Sequence, residues 1–233
     1  MAKASIEERL ERLEREVKRN RAAIECTRLV NRFCYINNQS VKSKNAPLSD
    51  MFALKQPDVA VQHGTNVYEG AEAVKKIYGR TEKANMPAGM MFLHPLASVY
   101  VEVARDLKTA KGVCMSIGLE SGNTIETAAW TWGAYGIDFI NEDGEWKIWH
   151  FNIYSTFNAP YLKSWVAWDP DARGPMPARS PDEEGAKRKG PEPVAATRQG
   201  KPDSPYKADR IFIFKPDPPE PYETFDPSTS YTA

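Results

Sequence analysis

Three histidines, His63, His94 and His150, are the only imidazoles in the 233 residues, and each falls in a stretch that reads as a β-strand or its end. Imidazole changes charge near neutral pH, so histidines facing one cavity could pass protons to and from a bound molecule. A buried neutral imidazole can also serve a single backbone group and do no chemistry. The stretch Gly144–Tyr161 follows the turn Asn141-Glu142-Asp143-Gly144 and is carried by aromatic and β-branched residues. Alternation puts Trp146, Ile148, His150, Asn152 and Tyr154 on one face of that strand. If this face looks into a cavity, it presents an acid/base group, an amide and a phenol along one line.

Lys111, between Ala110 and Gly112 early in a long strand, is a further candidate. Facing an apolar interior, its amine would lose charge more readily and could serve as acid, base or oxyanion partner; at an exposed strand end it would only be solvated. The aromatics Phe33, Tyr35, Tyr68, Trp130, Trp132, Tyr135, Trp149 and Tyr154 admit a similar division. They either fill a core or grip an aromatic ligand by offset stacking, at about 0.5–1.5 kcal/mol per pair. Zinc or iron would be the rival use of the histidines. No carboxylate is obviously paired with them along the chain, so no metal is expected.

These groups need elements to hold them. Residues 5–38 read as one helix, with Ile6, Leu10, Leu13, Val17, Asn20, Ile24, Thr27 and Asn31 at alternating steps of four and three and mixed charges on the other faces. The first half is a coiled-coil-like seam. The second half, rich in aromatics and amides up to Asn38, belongs beside a pocket. A short helix at 48–54, a strand at 59–63 and a helix from Ala71 to about Lys83 follow. Long strands at 92–105, 109–120, 124–141 and 145–157 are joined by short connections and form an antiparallel meander. Gly133 and Gly136 among aromatics mark bulges and strong curvature.

Lys+Arg and Asp+Glu both number 31, and a balanced chain has no global field to attract nucleic acid or an anionic membrane. No run approaches the ~20 apolar residues of a membrane span. The N-terminus is charged rather than signal-like, so cytoplasmic residence is expected. Cys26, Cys34 and Cys114 lack metal-ligand spacing and read as buried thiols of a reduced compartment. Thirteen of the 18 prolines fall between Pro170 and Pro227, which separates a Pro-rich arm from the domain. The division expected is 1–22, a helical extension; 23–168, the domain; and 169–233, an arm wrapping the domain or a neighbouring subunit. Ile211-Phe212-Ile213-Phe214 is expected to anchor the arm or add an edge strand. Seam, sheet face and arm together predict a homo-oligomer, dimer or trimer.

Several short motifs recur in the order of a known family. They are Leu29-Val30-Asn31-Arg32-Phe33-Cys34-Tyr35, Val61-Gln62-His63-Gly64 to Tyr68-Glu69-Gly70-Ala71, Leu93-His94-Pro95, Thr109-Ala110-Lys111-Gly112 and Asp143-Gly144-Glu145-Trp146-Lys147-Ile148. Over roughly residues 20–160 the chain resembles the SnoaL-like branch of the nuclear transport factor 2-like superfamily. The resemblance implies an α+β fold, a curved antiparallel sheet forming a cone-shaped α+β barrel with N-terminal helices over the pocket. Members include dehydratases, isomerases, polyketide cyclases and non-catalytic binding modules.

In the bile acid dehydratase of this branch the catalytic histidine matches His94, while its tyrosine and aspartate fall on Phe33 and Asn38, which lack the acid and the base. That departure argues against the same dehydration. The arm and the aromatic-rich pocket resemble the lyases that remove formaldehyde from lignin-derived diaryl compounds. The resemblance thus implies a cofactor-independent lyase acting on a small aromatic substrate. His94, His150, Lys111 and Tyr35 are its expected catalytic groups, and Phe33, Asn38, His63, Tyr68, Trp132, Tyr135, Asn152 and Tyr154 its expected substrate-binding residues. A dehydratase, isomerase or cyclase of a polycyclic or polyketide substrate and a non-catalytic ligand-binding module are the alternatives.

Overall fold

The computed structural model describes residues 5–38, 47–79, 90–122, 128–167 and 194–232. The expected helix end near Lys83, the strand start at Thr124 and the arm between 168 and 193 lie outside these. Helix α1 spans Ile6–Asn38. Its first turn is closed by a capping box, in which the Glu8 N–H donates to Ser5 Oγ at 3.1 Å and the Ser5 N–H donates to Glu8 Oε2 at 2.8 Å. Only the second half of α1 is buried on the sheet, through Ala22, Cys26, Val30, Phe33 and Cys34. No described helix is long and apolar enough to cross a membrane.

A single 3₁₀ turn, Leu48–Met51, stands where a longer short helix is expected. Strands β1 (Ala60–His63) and β2 (Asn66–Glu69) form a hairpin, and helix α2 (Ala71–Tyr78) follows. The expected strand 92–105 is broken at His94-Pro95 into β3 (Met90–Leu93) and β4 (Leu96–Val103), both paired with β5 (Thr109–Gly122). The meander continues through β6 (Ala129–Glu142) and β7 (Glu145–Pro160). Asp143 (φ 55°) and Gly144 (φ 89°) form its last turn, the left-handed pair that a two-residue hairpin requires. The order is β3-β5-β6-β7-β1-β2-β8, with β8 the short pair Arg198–Gln199, β4 on the β5 edge and β1 parallel to β7.

The inner, helix-facing side of this curved sheet carries Ala110, Cys114, Tyr135, Ile137, Phe139, Ile148, Phe151 and Val61, packed on Val30, Phe33 and Val74. Phe33 is expected to line a substrate pocket, but it is core: its ring lies 5.8, 5.3 and 5.3 Å from those of Phe52, Tyr78 and Phe151. Truncating it to alanine would cost about 3–5 kcal/mol.

The strand expected to present five residues on one face does not do so. Asp138 pairs with His150, yet its neighbour Phe139 pairs with Ile148, so Trp149 is an extra residue in β7. A bulge shifts the alternation by one. Trp146 and Ile148 therefore join the inner core, while His150, Asn152 and Tyr154 point to the outer side with Asp138 and Lys111.

That outer side is covered by the chain's own C-terminal segment. β8 pairs with β2, the Tyr206 N–H donates to the Thr156 carbonyl at 2.8 Å, and the Arg105 N–H donates to the Tyr222 carbonyl at 3.0 Å. The ring of Tyr231 sits where Gly136 has no side chain, since a Cβ there would lie 2.5 Å from the ring. Ile211–Phe214 is neither strand nor anchor: Ile211 is 88% exposed and Ile213 63%, and Phe212 packs on Tyr206 and Phe214 of the arm itself. Prolines at 216, 218, 219 and 221 remove the donors a ladder would need just beyond it.

Candidate active site

His94 is held by the end of α1. Its N–H donates to Asn38 Oδ1 at 2.8 Å, and its carbonyl accepts from Cys34 Sγ at 2.9 Å. Proline at 95 keeps this residue out of helical conformation, so the β3–β4 connection presents its backbone to the helix. The imidazole lies over Gly118 on the inner face of β5. A Cβ at Gly118 would come within 2.6 Å of the ring and would overlap Thr131 Oγ1. His94 Nε2 is 3.1 Å from Glu120 Oε1, and the two side chains are 21% and 15% exposed. The pair is shielded yet reachable.

Neutral groups lie on the same inner face, further along β5 and β6. Ser116 Oγ donates to the Tyr135 hydroxyl at 3.2 Å, and burial pushes the Tyr135 phenol up to about 12. Burial likewise pushes the Cys114 thiol up to about 12 and raises that of Cys34. These three remain protonated near neutral pH, and His94–Glu120 is the imidazole–carboxylate contact on this face among the described residues. Thr131 Oγ1 is buried without a hydrogen-bond partner among the described residues. A ligand atom could satisfy it.

The second cluster, on the outer face, is built around Asp138. Its carboxylate lies 2.7 Å from Lys111 Nζ and 3.0 Å from His150 Nδ1, and accepts from Ser230 Oγ at 2.9 Å and the Tyr231 N–H at 3.1 Å. Burial would raise the Asp138 carboxyl, but the hydrogen bond from His150 and the charge of Lys111 outweigh it and hold it below the ordinary value. Lys111 also donates to the Thr229 carbonyl at 2.7 Å and lies over the rings of Phe225 and Tyr231. Asn152 Nδ2 and the Tyr154 hydroxyl donate to the Tyr231 carbonyl at 2.7 and 3.3 Å. Lys111, His150, Asn152 and Tyr154 therefore bind the arm rather than face the cone.

The other expected residues are scattered. Tyr35 is 70% exposed on α1, because it lies on the side of the helix turned from the sheet. Trp132 is on the outer face, packed on Phe157 at 6.5 Å. His63 Nε2 is 3.4 Å from the Tyr78 hydroxyl, and burial lowers this imidazole to about 4. Tyr68 packs edge-on against His63 at 6.1 Å. Asn38 positions the His94 backbone instead of offering its amide to a ligand. Of the expected set, His94 and Asn38 are in contact, Tyr135, His63 and Tyr68 share their inner face at other points, and the residue missed is Glu120. Its signal was present: Ala110, Gly112, Cys114, Ser116 and Gly118 share its parity on β5, and a carboxylate ending such a small-residue face is out of place on structural grounds alone. Among the described residues, no group of three or more His, Cys, Asp or Glu side chains converges to hold a metal ion.

Comparison with known proteins gives a family. Among solved structures the chain is similar to a Novosphingobium aromaticivorans protein described as a candidate scytalone dehydratase, at 16% identity, over 64% of this chain and 93% of that one, with TM-score 0.46. It is also similar to an NTF2-like protein with a cystatin-like fold from the same species, at 17% identity, over 70% and 95%, with TM-score 0.45. A third is the hexachlorocyclohexane dehydrochlorinase LinA-type3 from Novosphingobium barchaimii, at 18% identity, over 49% and 75%, with TM-score 0.35. The search of curated proteins finds no match. The SnoaL-like domain family matches residues 20–152, more than half of the chain, and the protein belongs to that family, within the NTF2-like superfamily.

Proposed function

We propose that the protein is a cofactor-independent lyase acting on a small aromatic molecule at the inner face of the cone, with His94 as the proton-transferring group and Glu120 as its partner. The observation that carries this reading is the 3.1 Å pair between His94 Nε2 and Glu120 Oε1, largely shielded from solvent on the inner face. Glu120 orients the ring and offsets its charge when the ring takes up a proton.

The sharpest form of the reading is deformylation of a lignin-derived diaryl diol. In a first step His94 gives a proton to the benzylic hydroxyl, which departs as water, while the para-phenol releases its own proton to solvent and the ring becomes a quinone methide. In a second step the imidazole takes the proton of the neighbouring hydroxymethyl. The carbon–carbon bond breaks, formaldehyde leaves, the electron pair returns to the ring and the phenolic oxygen regains a proton. The products are a stilbene, water and formaldehyde, and the quinone methide is the only electron sink required. Each positioned proton transfer contributes typically about 10²–10⁴-fold.

The test is to incubate the full chain with such a diol in chelator-treated buffer and follow formaldehyde and stilbene. Both should form, and His94→Gln should slow them by about 10²–10⁴-fold. Absence of both products between pH 6 and 9 would sink the deformylation. Solvent exchange of carbon-bound protons without carbon loss would instead identify a dehydratase or isomerase. Saturable binding with no turnover would identify a binding module.

A further inference from the structure

The N-terminal half of α1 carries an apolar stripe that the rest of the described chain does not cover. Ile6 is 78% exposed and Val17 65%, and Leu10, Leu13 and Ile24 are exposed as well. At 3.6 residues per turn, this stripe lies about 165° around the helix from the face that Ala22, Cys26 and Val30 bury on the sheet. A second helix could therefore lie along it without meeting the domain. Spacing makes Leu10, Val17 and Ile24 heptad a positions and Ile6, Leu13 and Asn20 d positions.

We infer that this stripe pairs with the same stripe of a second copy of the chain, as a parallel, in-register, two-stranded coiled coil. Charge selects the occupant and its direction. The g positions are Arg9 and Glu16, and the e positions are Glu7, Glu14 and Arg21. Parallel in-register pairing brings g against the e position five residues further on in the other copy. Arg9 then meets Glu14 and Glu16 meets Arg21, opposite charges in both cases. An antiparallel pair with the same overlap would oppose Glu14 to Glu14 and Glu16 to Glu16, and would set the Asn20 amide against Leu10. In the parallel arrangement the two Asn20 amides face and can bond each other. β-branched Val17 and Ile24 at a with Leu13 at d suit two strands. The seam is shorter than three heptads, so the pairing is concentration-dependent.

The full chain should show a mass that rises from one copy to two between low and high micromolar concentration. Val17→Cys should form a disulfide dimer under mild oxidation, and Arg15→Cys, on the opposite side of the helix, should not. Glu16→Arg should weaken self-association several-fold, and the added Arg21→Glu should restore it; Val17→Glu should abolish it while the melting of the domain is kept. A mass of one copy at every concentration overturns the inference. So does a trimer, a dimer indifferent to Val17→Glu, or a dimer that Val17→Cys fails to cross-link. Strong hydrogen-exchange protection of residues 6–24 in a monomer would show the chain covering its own seam and would overturn it equally.

Discussion

Lys111 Nζ lies 2.7 Å from Asp138 Oδ1 across the β5–β6 ladder, on the side of the sheet turned away from α1. Both side chains are nearly inaccessible, and the C-terminal segment completes their shell through Thr229, Ser230 and Tyr231. The pair itself lies within the sheet, and the arm is tied to it by the hydrogen bonds from Ser230 and Tyr231 to Asp138 and from Lys111 to the Thr229 carbonyl, so removing either charge strands the other and loosens the arm.

Asp138→Ala should therefore destabilise the protein by about 3–5 kcal/mol, because it leaves the Lys111 charge buried without its counter-ion. Urea unfolding measures the loss, and hydrogen exchange at residues 229–232 should rise with it. A loss below about 1 kcal/mol would mean that the pair is not what holds the arm. The sign with pH follows from the depressed Asp138 carboxyl. Its stabilisation is fully present above the ordinary aspartate value of about 3.9 and is lost as pH falls through the lower folded value. Asp138→Asn should lack that acid-sensitive component.

His63 contributes a separate pH dependence. Its imidazole is lowered from 6.5 to about 4 by burial, so between those values the unfolded chain binds a proton that the folded chain does not. Stability should be full above pH 6.5 and fall as pH drops toward 4, by about 1–3 kcal/mol for this partly shielded ring. Unfolding curves across that range, compared with those of His63→Leu, give the measurement. An equal slope in the variant would assign the effect to other groups.

Gly118→Ala should displace His94, because the added methyl overlaps Thr131 Oγ1 and crowds the imidazole. A cost of about 1–3 kcal/mol is expected, as for other overpacked sites. Adding Thr131→Ala should recover part of it, and thermal melts of the two single variants and the double variant test that coupling. Additive losses would show that Thr131 is not the obstacle.

Much of this protein was legible from local signals. The heptad spacing outlines α1, Asp143-Gly144 marks the last hairpin, and the alternation of the long strands outlines the meander. These features rest on neighbours a few residues apart, and periodicity reports such neighbours directly. What the tertiary structure alone decided is which side of the sheet each group serves. One extra residue, Trp149, turns His150, Asn152 and Tyr154 outward, and a bulge of this kind has no mark in an alternating pattern of aromatics and polar residues. The arm's docking on Asp138 joins positions 93 residues apart, and the His94–Glu120 pair joins the β3–β4 connection to β5. Such contacts depend on register and chain path, which the order of residues does not express until the sheet has formed.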